Sequence, residues 1–389
     1  MIAVSQFCQL LKSNSIDFFA GVPDSLLSSF SQYLESSASG KQHIITANEG
    51  SAVALALGHH LATASTPLVY MQNSGLGNAY NPLVSLADPE VYSIPMVLLI
   101  GWRGQPGIKD EPQHKKQGAI TLSTLETMGI PYLQLNASTE NTSDGVNQLI
   151  KKAKTESRPV AIVVSKNTFL NDMVEKASVA PPTSLFTREN AIELIVKSLP
   201  TNAKVVCTTG MASRELFELR EKQSQPHNND FLTVGGMGHA SQIALGVAMY
   251  DKNDIVCIDG DGAALMHMGS LAINGNSQLP NFKHIVLNNG CHDSVGGQAT
   301  LGKQVELTQI ARSCGYHFSE RVTSQDELNS ALPKLFASSS PAFLEVVIDR
   351  GRRQGLGRPT ETPLQCKLAF MKCDENNESK DDSKNEPRD

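Results

Sequence analysis

Short apolar runs alternate with segments of helical period, and the whole alternation occurs twice along the chain. In the first half IDFFAGVPDS, PLVYMQNSG, IPMVLLIGWRG, IPYLQL and RPVAIVVSKN read as strands, and HIIT ahead of Glu49 as another. EGSAVALALGHHLATAS, NPLVSLAD, TLSTLETMG and DGVNQLIKKAKTES read as the helices between them. Strands that are apolar on both faces must be covered on both faces, which a parallel sheet flanked by helices achieves. The leading MIAVSQFCQLLK sets Phe7, Leu10 and Leu11 on one helical face. The rhythm stops between about Val174 and Ser184, where Pro181-Pro182 and small polar residues read as a linker. It resumes at TRENAIELIVKSL, a helix with Thr187 as N-cap and Asn190 where a capping box would place Glu. AKVVCTTG, DIVCIDGDG, HIVLNNG and AFLEVVID follow as strands with helices between. The expected fold is α/β: two similar parallel-sheet domains with helices on both faces. They span 1–173 and 185–372, joined by a linker at 174–184 and followed by a disordered acidic tail at 373–389.

A chain of 389 residues suits two or three domains. Its net charge is −6, and Asp374 to Asp389 alone, with seven acids and three bases, carries −4 of it. The nearly neutral body argues against a general nucleic-acid binder. No apolar run approaches the length of a membrane span, and the N-terminus lacks the basic and apolar regions of a signal peptide. Seven cysteines without a C-x-x-C pair fit reduced thiols in a cytoplasm and give no zinc pattern.

Open parallel sheets bind ligands beyond the carboxyl ends of their strands. There, strand DIVCI ends in Asp259-Gly260-Asp261-Gly262, a helix follows over roughly Ala264 to Gly275, and strand His284–Leu287 ends in Asn288-Asn289-Gly290. Asp261 and Asn289 thus stand at the tips of two strands, 28 positions apart. A carboxylate and an amide oxygen are hard ligands suited to Mg²⁺, and glycines let backbone N–H groups approach a diphosphate.

GDG, 25 residues, then NN resembles the cofactor signature of thiamine-diphosphate enzymes. The resemblance implies thiamine diphosphate and Mg²⁺ as cofactors. Asp261, the Asn289 side chain and the Cys291 carbonyl would be the metal ligands; Cys291 stands where a small residue such as alanine is expected, which a backbone ligand tolerates. It also implies a pyrimidine-binding and a diphosphate-binding domain, matching the two halves. Gly260, Gly262 and Ala263, with Thr209 and Gly210 after strand AKVVC, would line the diphosphate. The pyrimidine domain of such enzymes carries a glutamate after a strand and at a helix start, and Glu49 in HIITANEGSAVALALG stands there. Met237 between Gly236 and Gly238 would prop the bent cofactor, with the Gly235 carbonyl accepting from its amino group.

Members with a third domain between these two are longer; the short linker here leaves no room for a middle domain. GVPDSLL, YMQNSGLGNAYNPL, GWRGQPGIKDEPQHKKQG, TTGMASREL, GDGAALMHMGSLA, LNNGCHDSVGGQAT and GRPTETP narrow the resemblance. They are similar to the short decarboxylases of 3-phosphonopyruvate and 3-sulfopyruvate, from about Ile2 to Met371. The expected reaction is loss of CO₂ from 3-phosphonopyruvate to give phosphonoacetaldehyde in phosphonate biosynthesis. Asp24, His114 and His292 are candidate proton carriers beside Glu49. Arg103, Lys109, Lys115, Arg352, Arg353 and Arg358 are candidate partners of the substrate anion, whereas Arg214 reads as a helix surface charge. The family pairs the pyrimidine domain of one subunit with the diphosphate domain of another, so at least a homodimer is expected. The alternatives are a sulfopyruvate decarboxylase, disfavoured on the expectation that those enzymes split the domains between chains, an acetolactate-type carboligase, disfavoured by the lack of a middle domain and of a flavin site, and a cofactor-binding subunit without catalysis, disfavoured by the presence of Glu49, Asp261 and Asn289. A nicotinamide dehydrogenase is a poor fit, because GGMGHA is not a first-strand G-x-G-x-x-G.

Overall fold

The computed structural model describes residues 1–138, 142–172 and 186–372. The expected linker at 174–184 and the tail at 373–389 lie outside the described residues. Two six-stranded sheets are present among the described residues, and every strand pair in them is parallel.

The first sheet comprises β1 (Phe19–Gly21), β2 (His43–Ile45), β3 (Leu68–Gln72), β4 (Met96–Gly101), β5 (Tyr132–Leu135) and β6 (Pro159–Val164). The second comprises β7 (Lys204–Cys207), β8 (Asp230–Leu232), β9 (Ile255–Gly260), β10 (Phe282–Asn288), β11 (Phe318–Val322) and β12 (Ala342–Val347). The spatial orders are β2-β1-β3-β4-β6-β5 and β8-β7-β9-β10-β12-β11. The two halves therefore repeat one topology, and each order reverses at the same place, between its first and third strands. That reversal opens the crevice where such sheets bind ligands.

Packing explains the apolar runs. In the first sheet Tyr70, Val97, Leu99, Val160 and Ile162 face one core, while Val69, Met71, Leu98, Ile100, Ala161 and Val163 face another. The second sheet repeats the arrangement, with Val205, Ile258, Ile285 and Leu344 on one side and Val206, Cys257, Val286 and Phe343 on the other. Neither face meets water, so neither face needs polar residues. By contacts the described residues form two compact units: one runs up to residue 172 with Ser294–Ala299 added, the other comprises the rest from residue 186.

The expected elements are present, and helices Ser28–Ser37 and Pro363–Lys372 add to them. β8 and β11 were not among the expected strands; both are sheet edges. The helix containing TLSTLETMG starts at Pro112 and runs to Thr127. The helix expected over Ala264–Gly275 is two, Asp261–Met266 and Ser270–Asn276. Thr187 caps its helix as expected, its hydroxyl accepting from the Asn190 N–H at 3.2 Å. Among the described residues no helix is long and apolar enough to cross a membrane.

Candidate active site

In the first unit the chain leaves β1 through Val22-Pro23 to Asp24, which is fully buried. Gln72, the last residue of neighbouring β3, donates to Asp24 Oδ1 at 2.8 Å, and the Leu26 N–H donates to Oδ2 at 3.0 Å. Burial raises the proton affinity of this carboxyl above the ordinary range, against the pull of Gln72 and Arg103. Arg103, just past β4, grips Asp110 with both arms of its fork, Nε to Oδ2 at 2.8 Å and Nη2 to Oδ1 at 2.6 Å, and its Nη1 donates to Ser25 Oγ at 2.9 Å. The arginine is thus already neutralised. Despite the burial of part of its surroundings, Asp110 is held down to about 2 by Arg103 and the Gly104 N–H. His114, in the first turn of the following helix, is lowered to about 4 by burial and by Arg103. Lys109 and Lys115 are exposed.

Glu49 opens helix Glu49–Thr63, whose N-cap Asn48 accepts the Ser51 N–H at 2.9 Å. The cap fixes the start of the helix just past β2 and so fixes Glu49, which is only 5% exposed. Asn78 Nδ2 donates to Glu49 Oε2 at 2.7 Å. The carboxylate passes over Gly75, where a Cβ would lie 2.5 Å from both Glu49 Cγ and Oε1.

In the second unit the crevice lies between β7 and β9. Asp261 opens its short helix at the tip of β9 and is 2% exposed. Burial raises it to about 6, opposed by hydrogen bonds from Thr300 and from the backbone N–H groups of Gly262 and Asn289. The Thr300 hydroxyl bonds its Oδ2. No Lys or Arg among the described residues is paired with it. The Asn289 side chain is fixed at both ends: Oδ1 accepts the Cys291 N–H at 3.0 Å, and Nδ2 donates to Asp293 Oδ2 at 2.7 Å. Asp293 also accepts from Arg188 Nη1 at 3.1 Å, and Arg188 is locked bidentate on Glu215 at 2.7 and 3.0 Å. The Cys291 thiol donates to Asp293 Oδ1 at 3.0 Å, and burial pushes its proton affinity up. The Cys291 carbonyl is a hard oxygen, which suits Mg²⁺ better than a sulfur does.

Three predicted residues of this unit converge. A Cβ at Gly262 would lie 2.8 Å from His292 Cε1 and 3.3 Å from Met237 Cε, so the bare glycine leaves a cradle between them. His292 is lowered to about 4, chiefly by burial, and is neutral near pH 7. Ala263 is buried in the same helix, and Gly260 ends β9. Thr209, ahead of Gly210, donates to the Val234 carbonyl at 3.0 Å, tying the tip of β7 to the loop carrying Gly235 and Met237.

The cationic candidates near the C-terminus differ in state. Arg353 is paired with Glu189 and Glu218. Arg358 is exposed. Arg214, expected to be a plain surface charge, instead lines a cavity with Arg352. Gln72, Asn78, Asp293 and Thr300 were not among the predicted residues, although Gln72 and Asn78 lie in the polar stretch QNSGLGN at the end of β3, and Asp293 and Thr300 in the polar stretch beyond β10, which is the signal that could have found them.

The donors around Asp261 are a carboxylate, an amide oxygen and a carbonyl, all hard oxygens that suit Mg²⁺. A buried carboxylate without a cationic side chain is costly unless a cation joins it, so these residues fit a Mg²⁺–diphosphate group. Comparison with known proteins agrees. Residues 1–125 match the model of the thiamine pyrophosphate enzyme N-terminal TPP binding domain, and residues 205–346 match that of the C-terminal TPP binding domain. The chain belongs to the thiamine pyrophosphate enzymes. It is 34% identical to a phosphonopyruvate decarboxylase of Streptomyces viridochromogenes, over 95% of this chain and 94% of that one. It is 26% identical to a sulfopyruvate decarboxylase of Methanosarcina acetivorans, covering 88% of this chain and 90% of that protein. The beta subunit of a Methanococcus maripaludis sulfopyruvate decarboxylase matches 48% of this chain at 31% identity, covering 96% of the subunit. The Methanosarcina protein carries both halves in one chain, so the expectation that sulfopyruvate enzymes divide them fails as a general rule and does not discriminate the substrates.

Proposed function

We propose that this chain is a carboxy-lyase that converts 3-phosphonopyruvate to phosphonoacetaldehyde and CO₂ with thiamine diphosphate and Mg²⁺, within phosphonate biosynthesis. The observation that carries the reading is the buried Asp261 carboxylate, bonded to Asn289 at the tips of β9 and β10 in a chain similar end to end to a phosphonopyruvate decarboxylase. Residues 1–173 act as the pyrimidine-binding domain and 185–372 as the diphosphate-binding domain.

Asp261, the Asn289 oxygen and the Cys291 carbonyl hold Mg²⁺. Gly260, Gly262 and Ala263, with Thr209 and Gly210, line the diphosphate. Met237 would support the bound cofactor, and the Gly235 carbonyl would accept from its amino group. Thiamine diphosphate, when bound, supplies a nucleophilic carbon and the electron sink that decarboxylation requires. Glu49 hydrogen-bonds the aminopyrimidine and moves its proton. Asp24 holds a proton to higher pH than an exposed carboxyl does, whereas His114 and His292, both lowered to about 4, stay neutral near pH 7 and act there as hydrogen-bonding groups rather than as stored acids. Of the cationic candidates, the exposed Lys109, Lys115 and Arg358 can meet a dianionic substrate, whereas Arg103 and Arg353 already hold carboxylates. The working unit is at least a homodimer in which Glu49 of one subunit serves the cofactor held by Asp261 of the other.

Aldehyde release from phosphonopyruvate tests this reading. Turnover should require both thiamine diphosphate and Mg²⁺ and should vanish in Asp261→Asn. Undiminished turnover after exhaustive chelation and dialysis, or in Asp261→Asn, would overturn it. A second reading, 3-sulfopyruvate as substrate, is favoured by the similarity to the Methanosarcina enzyme.

A further inference from the structure

The second unit holds a cavity of about 350 Å³ lined by Met211, Arg214, Arg352, Arg353, Gln354 and Leu356. Three guanidinium groups gathered in one cavity repel one another unless anions neutralise them. Arg353 has its anions in Glu189, at 2.9 Å, and Glu218. Arg214 and Arg352 pair with no carboxylate among the described residues; Arg352 Nη1 contacts Met211 Sδ at 3.6 Å. Arg214 sits half-buried in the first turn of helix Met211–Lys222. Burial and the charge of Arg352 both weaken its hold on its proton.

The segment carrying Arg352 is fastened to the proposed metal turn. Arg350 Nη2 donates to the Gly290 carbonyl at 3.2 Å, and the Gly351 N–H donates to Asp293 Oδ2 at 3.2 Å. Farther along, the Gly357 N–H donates to Glu218. Met211 directly follows Thr209-Gly210, past the tip of β7. The cavity is therefore anchored to both the Asn289–Asp293 turn and the loop after β7, at the carboxyl end of the second sheet.

We infer that this cavity binds the tetrahedral oxyanion at the far end of the substrate, the phosphonate or sulfonate, between the guanidinium forks of Arg214 and Arg352. Each fork presents parallel N–H donors that match two oxygens of such a group. The cavity volume falls in the range of small-ligand sites. The inference rests on the decarboxylase reading, and it moves the anion contact from Arg353, which is already paired, to its neighbour and to Arg214. The cofactor diphosphate carries the same chemistry, so the test separates the two sources.

The test is calorimetric titration of the enzyme loaded with thiamine diphosphate and Mg²⁺. The probe is 3-phosphonopropionate, which has both anionic ends and no 2-oxo group. Wild type is compared with Arg214→Gln, Arg352→Gln and Arg214→Lys, and thiamine diphosphate affinity is titrated separately on each. Melting curves confirm that each variant is folded, and Arg214→Lys keeps the charge if Arg214→Gln fails to fold. Each glutamine variant is expected to raise the Kd of the probe about tenfold or more, the loss expected of a charged hydrogen bond. Arg214→Lys should fall between, with cofactor affinity unmoved throughout. An unmoved probe Kd in both glutamine variants, while wild type turns over phosphonopyruvate, overturns the inference and leaves the decarboxylase reading standing. Weakened cofactor binding with an unmoved probe Kd assigns the cavity to the cofactor and overturns it as well. Wild type that neither binds the probe nor turns over phosphonopyruvate removes the decarboxylase reading and the inference with it.

Discussion

Replacing Gly75 with alanine tests the proposed role of Glu49 without touching its carboxylate. The new Cβ would stand 2.5 Å from Glu49 Cγ and 2.6 Å from Cδ. Carbon atoms rest comfortably at about 3.5 Å, so the glutamate must move by roughly 1 Å. It cannot retreat freely, because Asn78 holds its Oε2 at 2.7 Å and the Asn48 cap fixes the helix start. A misplacement of about 1 Å in a positioned catalytic group costs on the order of a hundredfold in rate. Overpacking of this kind costs about 1–3 kcal/mol of stability, which a thermal melt reads separately. The predicted result for Gly75→Ala is a kcat lower by about two orders of magnitude in a coupled aldehyde assay, with a folded protein at the assay temperature. A kcat within about threefold of wild type would refute the reasoning, since a displaced Glu49 would then have no consequence.

Three further predictions follow from other parts of the structure. Asp293→Asn removes the charge that aligns the Asn289 amide, so Mg²⁺ affinity, read by titrating metal into the apoenzyme, should fall about tenfold to hundredfold; an unchanged affinity would show that Asn289 is held in some other way. Arg220→Leu strips Asp230 of its bidentate partner at 2.7 and 2.9 Å in a buried site, and should cost about 3–5 kcal/mol in urea unfolding; a loss under about 1 kcal/mol would contradict it. His43, whose Nε2 lies 2.8 Å from the buried Tyr70 hydroxyl, is lowered by burial from 6.5 to about 4. Its folded pKa lies below the unfolded value, so the unfolded chain takes up its proton first. Its contribution is full above pH 6.5 and is lost as pH falls toward 4. Allowing for its partial exposure, that amounts to about 2–3 kcal/mol. The drop in unfolding free energy over that window should shrink in His43→Gln, and an identical slope would rule the assignment out.

How much of this was readable in the sequence depended on where each element sits. Central strands such as Met96–Gly101 and Ile255–Gly260 are buried on both faces and announce themselves as apolar runs. The missed strands Asp230–Leu232 and Phe318–Val322 are edges, one only three residues long and the other, FSERV, largely polar. An edge needs less apolar surface and benefits from charge, so its pattern is weak. The helix from Pro112 was seen only from Thr121, because PQHKKQGAI offers little apolar stripe. Glu49, Asp261 and Asn289 were legible because strand tips and spacing fix them locally. Thr300 on Asp261 and Arg214 beside Arg352 depend on chain segments brought together by the fold. Composition gives no signal for those meetings, and Arg214 accordingly read as an ordinary surface charge.

The most direct measurement of the central claim is kcat/KM for aldehyde formation from phosphonopyruvate, sulfopyruvate and pyruvate, with saturating thiamine diphosphate and Mg²⁺. The account predicts cofactor-dependent turnover that favours phosphonopyruvate and a much poorer reaction with pyruvate, which lacks the second anion. A preference for sulfopyruvate would keep the machinery and reassign the substrate. No turnover of any 2-oxo acid by enzyme with its cofactor bound would contradict the account.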